Sequence, residues 1–386
     1  MKRILIFSIA YHPFVGGAEV AIKEITDRIG DISFDLLTVN LDGKQALEET
    51  IGNIKVYRVG NGTVGKFLFP LFGFLKARKL HKKNPYDAVW SVMANQASVA
   101  AAFFKMRNRS VPLVLTLQEG DDESHLARYV GGSEFLYTLF IKPWHTFAIK
   151  KANFITAISD YLKNRARKYN RVAPLEIIPN GVNYPLFSKP VPEEELIFLK
   201  ERLGKKEKDI YLITTSRLVA KNAVGDVIKA LSYLPDQISF LILGLGDKRE
   251  ELKNLVEQEK VSDRVTFLGQ VSHTEIPKYL KISDVFIRPS ISEGFGNSFI
   301  EAMAAGIPVI ATPVGGIVDF LKDRHNGLFA EVGNPGSIAE AVLEYLNNPE
   351  LRETVVENGF QTAERYDWKK IAENMRWNVF DKVIPR

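Results

Sequence analysis

The sequence has no cysteine, so disulfides, thiolate metal sites and a cysteine nucleophile are excluded together. No stretch approaches the ~20 consecutive apolar residues of a transmembrane helix. Internal repeats and low-complexity segments are also missing, which argues against a repeat array or a fibre. The apolar run at residues 4–10 follows two basic residues, as in a secretory signal, but it is short and leads into His12-Pro13 rather than a small-residue cleavage site. It therefore reads as a first buried strand, and a reducing cytoplasm is the expected compartment.

What is present is an ordinary globular composition, 46% apolar and 25% charged, which also excludes a disordered chain. At 386 residues the chain exceeds the ~250–300 residues at which a single core stops growing, so two domains are expected. The net charge of +5 hides an asymmetry. Residues 1–190 hold 26 Lys and Arg against 16 Asp and Glu, a balance of +10, while 191–386 hold 25 against 30, a balance of −5. A basic half joined to an acidic half points to an anionic partner on one side only.

Runs rich in β-branched and aromatic residues recur at 3–8, 34–40, 54–59, 86–92, 112–117 and 154–159, then at 210–216, 238–244, 265–269, 285–289 and 308–312. Segments of helical length separate them. Continuous apolar runs such as ILIF, FLIL and VFI suit strands covered on both faces, hence parallel sheets between helices. The expected architecture is α/β, with two doubly wound, Rossmann-like domains. The first spans 1–183, a linker 184–194 follows where three prolines interrupt NYPLFSKPVPEE, and the second spans 195–365. Residues 366–386 read as a C-terminal helix with Ile371, Met375, Trp377 and Phe380 near helical spacing, packing back on the first domain.

The stretch RPSISEGFGNSFIEAMAAGIPVIATPVGG, residues 288–316, carries the chemistry. It reads as a strand end, a glycine-rich turn, a short helix stopped by Gly306, and another strand. In open α/β sheets ligands bind at the carboxyl ends of strands, where this turn falls. Gly294 and Gly296 allow close backbone approach, and the amides of Gly296, Asn297 and Ser298 begin a helix whose free donors and dipole attract phosphate. Glu293 and Glu301 flank the turn, as surface glutamates beside a helix would, or as carboxylates that accept sugar and ribose hydroxyls.

Glu293-Gly-Phe-Gly-Asn-Ser-Phe-Ile-Glu301 resembles the Glu-x7-Glu signature of the retaining glycosyltransferases of family 4 (group 1), whose fold, GT-B, sets two Rossmann-like domains facing across a cleft. The likeness extends over nearly the whole chain: Gly16-Gly17-Ala18-Glu19, Ile178-Pro-Asn-Gly-Val182, Ser216-Arg217-Leu218 with Lys221, Asp284 with Pro289-Ser290, Gly306-Ile-Pro-Val309 and Gly315-Gly316. The resemblance implies transfer of a sugar from a nucleotide-diphosphate sugar to an acceptor hydroxyl with retention at the anomeric carbon. It implies that Glu293, with the amides of Phe295, Gly296 and Asn297, holds the donor sugar, that Glu301 holds the ribose, and that Arg217 and Lys221 stabilise the leaving diphosphate. Gly16 and Gly17 would form a loop closing over the phosphates. Lys221 stands four residues after Arg217, a shorter spacing than many members show. Many members also carry a histidine after the strand matching VLTL; here Gln118, Glu119, Asp121 or His125 stands in its vicinity. No cofactor and no metal are expected, because Asp121-Asp122 alone offers too few oxygen ligands and the class meets leaving-group charge with cationic side chains.

The segment from Lys66 to Lys76, KFLFPLFGFLK, followed by Arg78, Lys79, Lys82 and Lys83, joins an apolar run to a basic cluster. A core helix with a solvated basic end and an interfacial helix both have this composition. The second reading puts the protein on the inner face of an anionic membrane, serving a lipid-linked or cell-envelope glycan acceptor. The competing functions are a GT-B sugar-phosphate or sucrose-type synthase and a non-catalytic nucleotide-binding module. A dinucleotide oxidoreductase is disfavoured because Gly244-Leu-Gly246 lacks the third glycine. No nucleic acid is expected as partner, since no aromatic-interleaved basic motif is present.

Overall fold

Ile4, Leu5, Ile6 and Phe7 are completely buried, and they make β1 (Lys2–Phe7) the middle of a parallel sheet. The computed structural model of the chain describes residues 1–14, 16–120, 133, 135 and 142–384. They divide into two units, Met1–Asn180 with Trp368–Arg386, and Gly181–Asp367.

In the first unit β1 is joined by β2 (Ile32–Asn40), β3 (Glu48–Ile51), β4 (Ile54–Asn61), β5 (Ala88–Val92), β6 (Leu113–Leu117), β7 (Phe154–Ala157) and β8 (Leu175–Ile177). Their order is β3-β4-β2-β1-β5-β6-β7-β8. Every neighbour pairs in parallel except β3 with β4. The chain runs outward from β1 to β2 and β4, then restarts on the other side at β5, so the strand order reverses between β1 and β5. Two edge strands escape the sequence pattern. β3 reads EETI, too polar to signal a strand, and is held by the Gly52-Asn53 hairpin turn, where Gly52 takes φ +57. β8 is three residues long and only half-buried.

The second unit has β9 (Ile210–Thr215), β10 (Ile238–Leu243), β11 (Val265–Gly269), β12 (Val285–Arg288), β13 (Val309–Ala311) and β14 (Leu328–Phe329) in the order β11-β10-β9-β12-β13-β14, parallel throughout. Here the order reverses between β9 and β12. Its core gathers Leu212, Phe240, Ile242, Val285, Ile287, Ile310, Val342 and Tyr345 between the sheet and its helices.

The boundary differs from the expected linker. The chain enters the second unit at Gly181 and leaves it at Asp367, so residues 184–194 are part of that unit. The prolines there do not make a tether, because Asn183 caps a short helix, Tyr184–Ser188, that buries Phe187 completely. Val182 bridges Asp367 and donates its amide to the Tyr366 carbonyl at 2.9 Å, tying the unit's two ends together.

The last segment belongs to the first unit but is not one regular helix. A π-turn, Met375–Phe380, interrupts it between Trp368–Asn374 and Asp381–Val383. Ile371, Met375, Val379 and Phe380 are buried while Trp377 is 58% exposed. Phe380 meets the edge of Trp90 at 5.5 Å, and Arg376 pairs with Asp31 at 2.7 Å.

The basic apolar segment forms the helix Gly62–Lys83. Gly65, Phe69, Gly73 and Ala77 make its buried face, and Gly73 lies close enough to Ala100 that a Cβ there would meet that side chain at 3.3 Å. The opposite face exposes Val64, Phe67, Leu68, Leu71 and Leu75, an apolar stripe at helical spacing. Lys79, Lys82 and Lys83 are exposed beyond its end.

Candidate functional site

The reversal of strand order between β9 and β12 leaves a crevice at their carboxyl ends, where open α/β sheets place ligands. β12 ends on Arg288, and residues 289–296 lead into the helix Asn297–Ala305. Gly296 enters that helix at φ +104 and Gly306 ends it at φ +80, conformations that only glycine adopts without strain. Phe295 and Phe299 anchor the turn in the core, the first against Phe320 at 5.2 Å and the second against Phe286 at 5.3 Å.

Glu293 sits at the mouth of the turn, its side chain 17% exposed. Its Oε2 accepts from Arg288 Nη2 at 2.6 Å and its Oε1 from the Gly294 amide at 3.1 Å. The other arm of the same guanidinium, Nη1, donates to Ser298 Oγ at 2.8 Å. Behind Glu293 the chain is equally fixed. Its carbonyl accepts from the Gly316 amide at 3.1 Å, and a Cβ on Gly315, at φ +55, would fall 1.8 Å from that oxygen. Only glycine fits there.

The end of β9 supplies the loop with Arg217 and Lys221. Asn222 Nδ2 donates to the Arg217 carbonyl at 2.7 Å, and the Lys221 carbonyl accepts from the Ile291 amide at 2.7 Å. The short spacing therefore still sets the Lys221 backbone against the segment that precedes Glu293. Two glycines make room: a Cβ on Gly244 would stand 1.9 Å from the Ser216 carbonyl oxygen, and one on Gly246 2.2 Å from that of Leu218. These glycines serve loop-to-loop packing. Around the same strand ends, the hydroxyls of Thr214, Thr215, Ser216, Ser290 and Ser292 are buried without a hydrogen-bond partner. Buried polar atoms are nearly always satisfied, so these five, with Arg288 Nε beside them, leave polar capacity at the strand ends, as do the Tyr11 hydroxyl, His12 Nε2 and the Ser91 hydroxyl in the first unit.

Glu301, the fifth residue of the helix, is partly buried, and its Oε1 lies 2.9 Å from His273 Nε2. His273 in turn meets Phe187 edge-on at 5.2 Å. Sequence reasoning passed over His273, Phe187 and Arg288. For Arg288 the signal was visible as a cation closing an otherwise apolar strand, whereas His273 is brought to Glu301 by the fold alone.

In the first unit, Gly16 and Gly17 are exposed between β1 and the helix Gly17–Thr26, beside that sheet's own reversal point. The Gly16 amide donates to Glu19 Oε2 at 2.7 Å. A Cβ on Gly17 would approach Asn180 Nδ2 at 3.7 Å, and Asn180 Oδ1 accepts from Gln118 Nε2 at 3.1 Å. Gly17, Gln118 and Asn180 are thus brought together. His12 lies in the same loop; burial first, then Lys23, hold its imidazole below the ordinary range, which favours the neutral ring. Glu119 is held against the backbone. Its carboxylate accepts from the amides of Ala94 and Gln118, so it braces backbone. Asp121 and His125 lie outside the described residues. Among the described residues, no group of three or more His, Asp or Glu side chains is placed to hold a metal ion.

Comparison with known proteins bears on the family and the fold. A family model described as Glycosyltransferase Family 4 matches residues 15–184, and one described as Glycosyl transferases group 1 matches 197–362. An uncharacterized glycosyltransferase of Methanocaldococcus jannaschii is 26% identical over 387 residues, 99% of each chain. The alpha-monoglucosyldiacylglycerol synthase of Acholeplasma laidlawii is 23% identical over 98% of each. Among solved structures, HepE of Anabaena in complex with UDP-glucose superposes with a TM-score of 0.81 at 21% identity, covering 99% of this chain and 100% of that one. The fold is GT-B.

Proposed function

We propose, for a chain that belongs to the group 1 glycosyltransferases of family 4, that the crevice between β9 and β12 holds the whole donor, a nucleotide-diphosphate sugar. The observation that carries this reading is the convergence there of Glu293, the glycine turn, Glu301, the loop with Arg217 and Lys221, and five orphaned hydroxyls. Glu293 accepts from the sugar hydroxyls, and Glu301, steadied by His273, accepts from the ribose. Arg217 and Lys221, with the first amides of the Asn297–Ala305 helix, take the charge of the departing diphosphate.

Transfer proceeds with retention and without a metal. The departing phosphate helps remove the acceptor proton, and catalysis rests on positioning and electrostatics. Anomeric analysis of the product tests the stereochemistry, with inversion as the contrary result. Assays in a strong chelator test the second point, and a loss of activity restored by a divalent cation contradicts it.

The acceptor is a lipid-linked hydroxyl, and the helix Gly62–Lys83 is what brings the enzyme to it. Its stripe of Val64, Phe67, Leu68, Leu71 and Leu75, ending at Lys79, Lys82 and Lys83, pairs apolar area with cations, the chemistry of an anionic bilayer surface. No helix among the described residues is long and apolar enough to cross a membrane. Flotation with phosphatidylglycerol vesicles but not with phosphatidylcholine vesicles is the expected result, and equal flotation with both contradicts it.

A further inference from the structure

We propose that Arg288 is a positioning residue for sugar transfer, a buried fork that sets the Glu293 carboxylate and locks it to the phosphate-facing helix start. This deepens the donor-site reading above and rests on it. β12 runs Val285, Phe286, Ile287, each completely buried, and its next residue is an arginine only 7% exposed. A guanidinium in that position carries a large desolvation cost, and any apolar residue would continue the strand.

Its surroundings state what it does there. Nη2 meets Glu293 Oε2 at 2.6 Å, Nη1 meets Ser298 Oγ at 2.8 Å, and the cation lies 4.7 Å from the centre of the Phe299 ring. The planar fork thus spans two elements with different tasks, the carboxylate that receives the sugar and the second residue of the helix whose amides face the diphosphate. Oε2 is occupied by the fork, and Oε1 rests beside the Gly294 amide. This leaves Oε1 with acceptor capacity in a fixed direction. Arg288 touches neither sugar nor phosphate in this account; it acts through Glu293 and Ser298.

The consequence is selective. Loss of the fork should leave a sugar-free nucleotide bound nearly as before and should harm turnover, because the sugar alone loses its fixed partner. The test uses the full chain with UDP-, GDP- and ADP-glucose as donors and UDP, GDP and ADP as sugar-free probes, following the pair that responds most strongly. Arg288→Met is expected to lower kcat roughly 100-fold, the scale of a misplaced catalytic group, while the Kd of the sugar-free nucleotide stays within about threefold. Arg288→Lys, which keeps a charge for Glu293 but cannot span to Ser298, should recover about tenfold of that loss. In a Glu293→Gln background Arg288→Met should add less than about threefold, since the partner it positions is already altered.

Turnover of a folded Arg288→Met within threefold of the unaltered chain overturns the inference. So does a parallel loss of kcat and nucleotide affinity, or an Arg288→Met effect undiminished by Glu293→Gln. If Arg288→Met does not fold, Arg288→Lys and the double variant, which leaves no unpaired carboxylate, carry the comparison by the same criteria. Full turnover in Glu293→Gln itself, or no response to any donor, sinks the donor-site reading and this inference with it. An impaired Glu293→Gln beside an intact Arg288→Met sinks this inference alone.

Discussion

The two units share one construction and differ at the edge where ligands bind. Each is a sheet, parallel but for β3 in the first, whose strand order reverses between β1 and β5 in the first and between β9 and β12 in the second. At the first reversal Glu119 is bound to the amides of Ala94 and Gln118, Gln118 to Asn180 and Gly16 to Glu19, while the Tyr11 hydroxyl, His12 Nε2 and the Ser91 hydroxyl are buried without a partner. At the second, Glu293 and Glu301 are oriented by Arg288 and His273, yet five hydroxyls around them have no partner. Both units thus keep buried polar atoms without a partner there, and the second adds two oriented carboxylates on either side of a glycine turn. Neither the fold nor unsatisfied polar atoms alone distinguish the two crevices; the oriented carboxylates beside the glycine turn are what favour the second as the proposed donor site.

The comparison breaks most severely if the second crevice loses a support. Phe187→Ala empties a fully buried site and should cost about 3–5 kcal/mol of stability, read as a lower urea midpoint of the full chain. Because Phe187 backs His273, nucleotide affinity should fall in the same variant. Next is Glu293→Ala, expected to lower turnover about 100- to 1000-fold with sugar-free nucleotide binding little changed; initial rates and calorimetry separate the two. Glu301→Ala should weaken nucleotide binding roughly 10- to 100-fold, the worth of hydrogen bonds to a charged acceptor. In the first unit, the double change Phe67→Ser and Leu71→Ser should reduce anionic-vesicle binding about tenfold or more while leaving nucleotide affinity alone. Smallest is Glu119→Gln, expected to shift nucleotide affinity by less than about threefold, since an amide oxygen can still accept from Ala94. A large loss there would place the donor in the first unit and reverse the contrast.

Much of this was legible before any coordinates. Strands such as ILIF, FLIL and VFI declared themselves by continuous apolar runs, because a parallel strand is covered on both faces. Gly296 declared a turn and Gly306 a helix stop, and the backbone takes φ values of +104 and +80 there. What stayed hidden depends on contacts between distant residues. EETI became a strand only because β4 offered it an edge. The prolines at 185, 190 and 192 read as a linker because nothing local reveals that Phe187 would be buried. Trp377 was expected inward, but it stands about 200° around the helix from Met375 and is exposed, while Val379 follows Ile371 and Met375 at i+4 spacing into the core. Glu119 looked available for substrate, and the amide of Ala94, 25 positions earlier in the chain, claims it.

The most direct test is a thermal-shift and calorimetric titration of the full chain with UDP, GDP and ADP and their glucose conjugates, repeated for Arg217→Ala, Glu301→Ala and Gln118→Ala. Ligands that bind the native state raise its apparent stability by mass action. The donor-site account predicts that at least one nucleotide stabilises the chain, that Arg217→Ala and Glu301→Ala abolish or strongly weaken the shift, and that Gln118→Ala preserves it. Stabilisation that survives both changes in the second unit and disappears with Gln118→Ala would contradict it.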